Sequence, residues 1–265
     1  MTLTQAIEQF PTKAVNLIFV HGIGDCMMFM PTVEALEKKY PNIKFKVLTI
    51  KKQIELFQYS LIEAGEFKRT QILDQHNNMY IENDELFFDV RFPMSEGTNL
   101  TKNEFSCLKE IGDITPIEGY RNEEELNSTI IGMHFQNTCL PNGANPTRDQ
   151  AKQIWDAVKE AGYIPLEVHF HHDFHNPVNK QFDFVDFTTR KMECNIHNLT
   201  TVIESCHRFI GVNSGPYFVA LRFLGINNTM MIEKDYLIKN VVKTPCPVLN
   251  IKNGINMDIL NDFIR

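Results

Sequence analysis

The stretch 15-VNLIFVHGIGDCMMFMPTVEALEKKYPNIKFKVLTI-50 joins an apolar run to a glycine turn, a helical segment and a second apolar run. Residues 15–21 have the pattern of a strand that is buried on both faces in a parallel sheet. Asp25 opens a segment that ends in lysines before Pro41, as helices commonly do. Residues 43–50 predict the next strand. This alternation of strand and helix is typical of a doubly wound α/β unit.

The pattern continues more weakly toward the middle of the chain. Residues 51–65 predict a helix that ends at a glycine, and residues 70–93 predict two short strands. The polar stretch 115–128 is interpreted as a linker. We therefore expect a compact N-terminal domain, residues 1–122, and a C-terminal domain, residues 123–265, both Rossmann-like.

The second half repeats the alternation of apolar runs and amphipathic segments. Strands are predicted at residues 128–135, 163–172, 207–212 and 228–232, and helices at residues 145–162, 198–206 and 214–225. The single tryptophan, Trp155, is expected to pack in the core.

The charge and the cysteines limit the kind of protein. A formal net charge of −7 gives no overall basic field, so nonspecific affinity for nucleic acid is not expected. None of the six cysteines forms a CxxC pair, which favours free thiols in a reducing compartment. The N-terminus lacks the pattern of a signal peptide, and no apolar run reaches the length of a transmembrane helix. A cytoplasmic protein without a transmembrane segment is expected.

The turn 19-FVHGIGD-25 raises the possibility of a hydrolase, because an apolar strand followed by His-Gly begins the oxyanion turn of many α/β-hydrolases. Such an enzyme also needs a serine nucleophile on a G-x-S-x-G turn. None of the six serines lies in that pattern, and Ser95 and Ser214 come no closer than MSEG and NSGP. The α/β-hydrolase is kept as an alternative, although the sequence offers no serine nucleophile for it.

The run 168-VHFHHDFHN-176 offers a second hydrolase hypothesis. It approaches the H-x-H-x-D-H pattern of metal-dependent hydrolases, but Phe174 stands where the last histidine belongs. His169 and His171 would share one face of a strand and could supply two zinc ligands. A metal-dependent hydrolase that uses His169–His175 is therefore kept as an alternative.

Three segments in order, residues 21–49, 130–163 and 198–226, resemble the family 9, heptosyltransferase-like glycosyltransferases. They carry G-x-G-D after a strand, a strand that ends in a polar loop before a helix, and G-x-[DN]-S-G-P before a helix that ends at Leu-Gly. The resemblance implies the GT-B architecture, with two Rossmann-like domains facing a cleft. It also implies transfer of a sugar from a nucleotide-sugar donor to a hydroxyl acceptor, with inversion, no cofactor and no essential metal.

The turn 211-GVNSGP-216 is expected to bind the donor diphosphate. A buried strand turns through Asn213, Ser214 and Gly215 into a helix with Pro216 near its first position. Backbone N–H groups and the helix dipole at such a turn form an anion site. Alternatively, Ser214 serves only as a helix cap.

The other donor contacts are expected at the carboxyl ends of the first two strands of the C-terminal domain. Gln136, Asn137 and Thr138 could donate hydrogen bonds to the diphosphate, and Arg148 lies where the family usually has a basic residue. Arg148 could equally be a solvated helix residue, and the family's tryptophan-proline element is absent. The residues expected to contact the nucleotide or line the cleft are His134, His171, His172 and Asp173.

Asp25 is the expected catalytic base, because an inverting transfer needs a group that takes the proton of the acceptor hydroxyl. Its pKa is expected to be low, since it lies near the N-terminus of a helix. The alternative role is a simple N-cap. The turn that would receive the acceptor consists of His21, Gly22, Ile23 and Gly24.

The sequence is compatible with several classes of acceptor. A lipopolysaccharide core, another glycan, a lipid-linked hydroxyl, a protein or a modified DNA base would each supply the reacting group. A nucleotide-binding module without enzymatic activity is the remaining alternative.

Overall fold

The computed structural model describes residues 1–68, 79–90, 111–112, 128–137, 145–170, 187–234 and 246–265. The described residues form two compact α/β units, one within Met1–Gly119 and the other within Tyr120–Asn240 and Thr244–Arg265. The predicted boundary between residues 122 and 123 lies outside the described residues.

The first unit is built on a five-stranded sheet in the order β3-β2-β1-β5-β4. Its strands are parallel except for the antiparallel pair of β4 and β5. The strands are Ala14–Ile18 (β1), Lys44–Thr49 (β2), Ala64–Glu66 (β3), Met79–Glu82 (β4) and Glu85–Asp89 (β5). The helices are Leu3–Gln9 (α1), Ile23–Lys39 (α2) and Ile54–Tyr59 (α3), and a single 3-10 turn, Lys51–Gln53, precedes α3.

The predicted helix over residues 51–65 is wrong beyond Tyr59. Leu61 has a φ of 62°, a left-handed conformation that a helix cannot continue through. The chain then enters the short strand β3, which pairs with β2. Helix α1 was not expected, although Thr2 and Gln5 form a capping box at its start.

The second unit is built on a six-stranded parallel sheet in the order β11-β10-β9-β6-β7-β8. Its strands are Ile130–His134 (β6), Ile164–Phe170 (β7), Lys191–Cys194 (β8), Arg208–Val212 (β9), Thr229–Glu233 (β10) and Val248–Asn250 (β11). Its helices are Arg148–Glu160 (α4), Ile196–Glu204 (α5), Gly215–Leu224 (α6) and Met257–Ile264 (α7).

Helices α4 and α7 cover one face of this sheet. Trp155 of α4 is 1% exposed and belongs to a core formed by both helices with β6, β9, β10 and β11, as its expected packing role requires. Thr147 and Gln150 form a capping box at the start of α4, and Gln150 Nε2 also donates to Ile251 O at 2.7 Å. These contacts fix where α4 begins relative to the sheet.

In each sheet the first strand of the unit has neighbours on both sides. Strand β1 pairs with β2 and β5, and β6 pairs with β7 and β9. Connections that leave such a strand in opposite directions open a crevice at its carboxyl end, where ligands bind in open α/β sheets. The turn 19–25 follows β1, and residues 135–137 follow β6, so both predicted site segments lie at these points.

Among the described residues, no helix is both long enough and apolar enough to cross a bilayer.

Candidate functional site

The turn after β1 holds the carboxylate of Asp25 in a capping box. Gly22 is the N-cap residue of α2, and its backbone N–H donates to Asp25 Oδ2 at 3.0 Å. Asp25 is thus the third residue of the helix, and it takes part in capping from that position rather than as the N-cap residue itself. A Cβ on Gly22 would lie 3.3 Å from Oδ2, so a side chain at this position would displace the carboxylate by a few tenths of an ångström.

The pKa of Asp25 is raised above its ordinary value near 3.8. Burial is the largest cause, and it outweighs the opposing effects of His21 and of the hydrogen bond from Gly22. The expected low pKa is therefore wrong, because the side chain is half-buried beside the turn rather than solvated at the helix end. A carboxylate with a raised pKa is a stronger base, which suits proton abstraction.

His21 fixes the other end of this turn. Its Nε2 lies 3.2 Å from the carbonyl oxygen of Val90, which directly follows β5. Its ring packs against Phe19 at a centroid distance of 4.4 Å, and Phe19 stacks on Phe29 of α2 at 4.1 Å. The histidine therefore joins the carboxyl ends of β1 and β5 at the crevice of the first sheet.

The four residues of the predicted acceptor turn differ in exposure. Gly22 is exposed and His21 is partly exposed, whereas the side chain of Ile23 is 4% exposed and packs in the core. Gly24 lies within α2. His21, Gly22 and Gly24 therefore keep some exposed surface, whereas Ile23 presents almost none.

The turn after β9 leads into α6 without a side-chain cap. Ser214 is the N-cap residue, but its hydroxyl donates to Val212 O at 3.1 Å and makes no capping hydrogen bond. Gly215 is the first residue of α6, and Pro216 follows it. The alternative that Ser214 only caps the helix with its side chain therefore has no support in this geometry.

Three asparagines link the two predicted diphosphate-binding loops of the second unit. Asn137 N donates to Asn145 Oδ1 at 2.7 Å, and Asn145 Nδ2 donates back to Asn137 O at 3.1 Å. The side-chain amide of Asn137 donates to the carbonyl oxygen of Asn213. The loops after β6 and β9 are thus joined directly, and Asn145, which sequence reasoning missed, is 4% exposed at their centre.

His134 ends β6 as a buried, uncharged side chain. It is 7% exposed, and its Nδ1 lies 2.8 Å from the carbonyl oxygen of Val168 in β7. Burial lowers the pKa of His134 below its ordinary value of 6.5, although its backbone hydrogen bonds oppose this effect. The residue therefore acts by holding β6 against β7 at the crevice.

We expect the free energy of unfolding to fall as the pH falls below about 6.5. The unfolded chain protonates His134 near its ordinary pKa, whereas the folded chain, with its lowered pKa, keeps the ring neutral. Stability is then complete above that pH and decreases by at most about 1.4 kcal/mol per pH unit toward the folded-state pKa. Urea unfolding at several pH values measures this slope. In His134→Asn, whose amide can still donate to Val168 O, the slope should be reduced, and an unchanged slope would contradict the assignment.

Arg148 is the first residue of α4, and its guanidinium is half exposed. Its Nη1 lies 3.6 Å from Asp149 Oδ1, and its Cζ lies 5.7 Å from the centre of the Phe187 ring. The guanidinium is accessible to an anionic ligand, and the exposed pair with Asp149 contributes little to stability. Four further predicted site residues lie outside the described residues: Thr138, His171, His172 and Asp173.

Glu167 and His169 form a polar pair within β7. Glu167 is 3% exposed, and its Oε1 lies 3.8 Å from His169 Nδ1. Burial alone would raise the pKa of Glu167, but the neighbouring side chains of His169, Thr188 and Lys191 outweigh it and lower the pKa. Sequence reasoning missed Glu167, although an acidic residue inside an otherwise apolar strand is the signal that could have found it.

A metal centre has no support in the described part of the chain. No group of three or more His, Cys, Asp and Glu side chains there is arranged to hold a metal ion. Of the histidine run, His169 belongs to β7, and residues 171–176 lie outside the described ranges.

Comparison of the sequence with protein-family models gives no match, and comparison with curated proteins gives no significant one. Solved structures do match. The iron-containing dodecameric glycosyltransferase TibC from enterotoxigenic E. coli H10407 aligns with a TM-score of 0.64 and 12% identity over 91% of this chain. The E. coli heptosyltransferase WaaC with ADP aligns with a TM-score of 0.61 and 7% identity, covering 94% of this chain and 97% of WaaC. The chain shares the fold of these glycosyltransferases.

A family 9 glycosyltransferase from Veillonella parvula DSM 2008 also aligns, with a TM-score of 0.56 and 11% identity over 93% of this chain and 89% of that one. The predicted α/β class and the resemblance to family 9, drawn from three short segments, are thereby confirmed at the level of the fold. The chain spans 63% of the length of TibC. At these identities the likeness establishes the fold alone.

Proposed function

We propose that this protein is a glycosyltransferase that moves a sugar from a nucleotide-diphosphate donor to an acceptor hydroxyl, with inversion and without an essential metal. The observation that carries the proposal is Asp25, a half-buried carboxylate with a raised pKa on the glycine turn at the crevice of the first sheet. A carboxylate with these properties suits the role of a general base.

In the proposed reaction the acceptor oxygen attacks the anomeric carbon of the donor sugar. Asp25 takes the proton of the hydroxyl as the new C–O bond forms. The bond between the anomeric carbon and the diphosphate oxygen breaks, and the nucleoside diphosphate leaves with the bonding electrons. Attack from the face opposite the leaving group inverts the anomeric configuration.

The second unit would bind the donor. Its support is the crevice between β6 and β9, where the loop at Asn137 and the turn at Asn213 are hydrogen-bonded to each other. The N-terminus of α6, with Ser214 and Gly215, supplies backbone N–H groups and a favourable dipole for the diphosphate. The half-exposed guanidinium of Arg148 would neutralise charge that develops on the leaving group.

The donor class is suggested by two of the similar structures. TibC has been solved in complex with ADP-D-beta-D-heptose, and WaaC with ADP. We propose an ADP-sugar as the first donor to test. The acceptor would be a glycan, a lipid-linked hydroxyl or another macromolecular hydroxyl, including one on nucleic acid.

A thermal-shift series with ADP-heptose and with UDP, GDP, ADP and CMP sugars tests donor binding. A ligand at 100 times its Kd should add about 2.7 kcal/mol to the free energy of unfolding, which raises the Tm by several degrees. We expect one nucleotide class to stabilise the protein equally with and without EDTA. The absence of a shift with every nucleotide would contradict the proposal. A shift that EDTA abolishes, together with stoichiometric metal in the purified protein, would instead favour a metal-dependent enzyme.

A further inference from the structure

Gln53 lies behind the turn that carries Asp25, in the 3-10 turn after β2, and is 1% exposed. Its Nε2 donates to the carbonyl oxygen of His21 at 2.6 Å. Its Oε1 accepts from Thr49 Oγ1 at 2.9 Å and from Cys26 Sγ at 3.3 Å. The side-chain amide therefore has partners on both of its polar atoms.

The two partners on the turn lie on either side of Asp25 in the sequence. His21 precedes it by four residues at the end of the β1 connection, and Cys26 follows it directly in α2. A single buried amide thus connects the entry of the turn with the first turn of the helix. Thr49, which is fully buried at the end of β2, sets the orientation of that amide by donating to its oxygen.

We propose that Gln53 is a positioning residue that holds Asp25 in place for proton abstraction. This inference rests on the proposed role of Asp25 and adds a residue that does not touch the substrate. The amide is neutral, so it acts through geometry. It keeps the carboxylate against the backbone of Gly22 and keeps water from entering beneath the turn.

Loss of the amide should lower the pKa of Asp25. Burial is what raises the pKa of this carboxyl, while His21 and the hydrogen bond from Gly22 lower it. Cys26 is a further titratable group in contact with the turn, and burial raises the pKa of its thiol well above the ordinary value. If the turn opens to water, the burial effect shrinks and the pKa of Asp25 falls toward its ordinary value near 3.8.

The test uses Gln53→Met, which keeps the length of the side chain and removes its hydrogen bonds. Carboxyl ¹³C NMR follows the titration of Asp25, with Asp25→Asn used to assign the resonance. Release of ADP from ADP-heptose as the sugar passes to an acceptor hydroxyl, or to water when no acceptor is present, measures turnover, and calorimetry measures ADP binding. Gln5→Met in the capping box of α1 is the control for loss of a glutamine elsewhere in the same unit.

We expect Gln53→Met to lower the titration midpoint of Asp25 and to reduce turnover at least about ten-fold, while ADP affinity stays at the wild-type value. Gln5→Met should change neither quantity. Thr49→Val removes one donor to the amide, so it should lower the titration midpoint and the turnover by smaller amounts. This variant tests the inference if Gln53→Met does not fold.

The inference would be overturned if the Gln53 and Thr49 variants kept the wild-type titration midpoint of Asp25 and the wild-type turnover while Asp25→Asn was inactive. Wild-type turnover in Asp25→Asn would instead overturn the proposed function. In that case the NMR titration still reports whether Gln53 holds the carboxyl.

Discussion

Asp25→Asn is expected to lower the rate of sugar transfer by about 10²–10⁴-fold, the usual contribution of a general base. Asparagine has nearly the same shape and can still accept the hydrogen bond from Gly22 through its amide oxygen. The turn should therefore persist while the group that takes the proton is lost. Single-turnover release of nucleoside diphosphate measures the rate, and calorimetry with ADP should show unchanged donor binding.

Glu37→Gln is the matched control for this variant. Glu37 lies in the same helix, and its pKa is also raised, by burial and by the nearby charge of Glu34. It lies at the opposite end of α2 from the glycine turn, so its loss should leave the rate unchanged. Equal losses of activity in both variants would indicate an effect on the helix rather than on catalysis.

The second large effect is expected from Asn145→Ala, which removes the centre of the link between the two loops that we propose bind the donor. The buried backbone N–H of Asn137 would lose its acceptor, and its carbonyl oxygen would lose a donor. A buried polar group left without a partner costs about 1–3 kcal/mol. Because the loop at residue 137 is bonded to the carbonyl oxygen of Asn213, we expect the Kd for ADP to rise at least about ten-fold.

Asn256→Ala separates this effect on binding from a general loss of stability. Asn256 caps α7 by accepting hydrogen bonds from Asp258 N and Ile259 N, and it follows β11, which β10 separates from β9 in the sheet. Loss of such a cap costs about 1 kcal/mol, so urea unfolding should show both variants weakened. Only Asn145→Ala should bind ADP more weakly, and wild-type affinity in that variant would show that the link does not shape the donor site.

The strands and helices with strong periodicity could be predicted from the sequence. The buried apolar runs at β1, β2, β6 and β9 and the amphipathic α4 were predicted with small errors at their ends. The prediction of a helix over residues 51–65 is wrong beyond Tyr59. The left-handed conformation of Leu61 ends the helix, and it depends on the pairing of β3 with β2. Short edge strands such as β8 carry too few residues for a pattern to show.

The residues that the sequence offered for the candidate site are those in recognisable turns or at the ends of apolar strands. Asp25 and the turn at Asn213 follow from glycine patterns, because such turns need particular residues at fixed spacing. Gln53 and Asn145 have no such signature, since each acts on a backbone group more than five residues away. The raised pKa of Asp25 could not be predicted either, because burial depends on the packing of the whole turn.

The most direct test of the central claim is to follow sugar and nucleotide together. Candidate acceptors, namely lipopolysaccharide core, other glycans, proteins and DNA, are incubated with the protein and ADP-heptose or the nucleotide sugar that stabilises it. Mass spectrometry then measures transfer, and chromatography measures released nucleoside diphosphate. Our account predicts that one acceptor gains a single glycosyl mass with an equal amount of nucleoside diphosphate released, and that Asp25→Asn gives neither. Equal transfer by Asp25→Asn, or no transfer and no nucleotide release with any donor and acceptor, would contradict it.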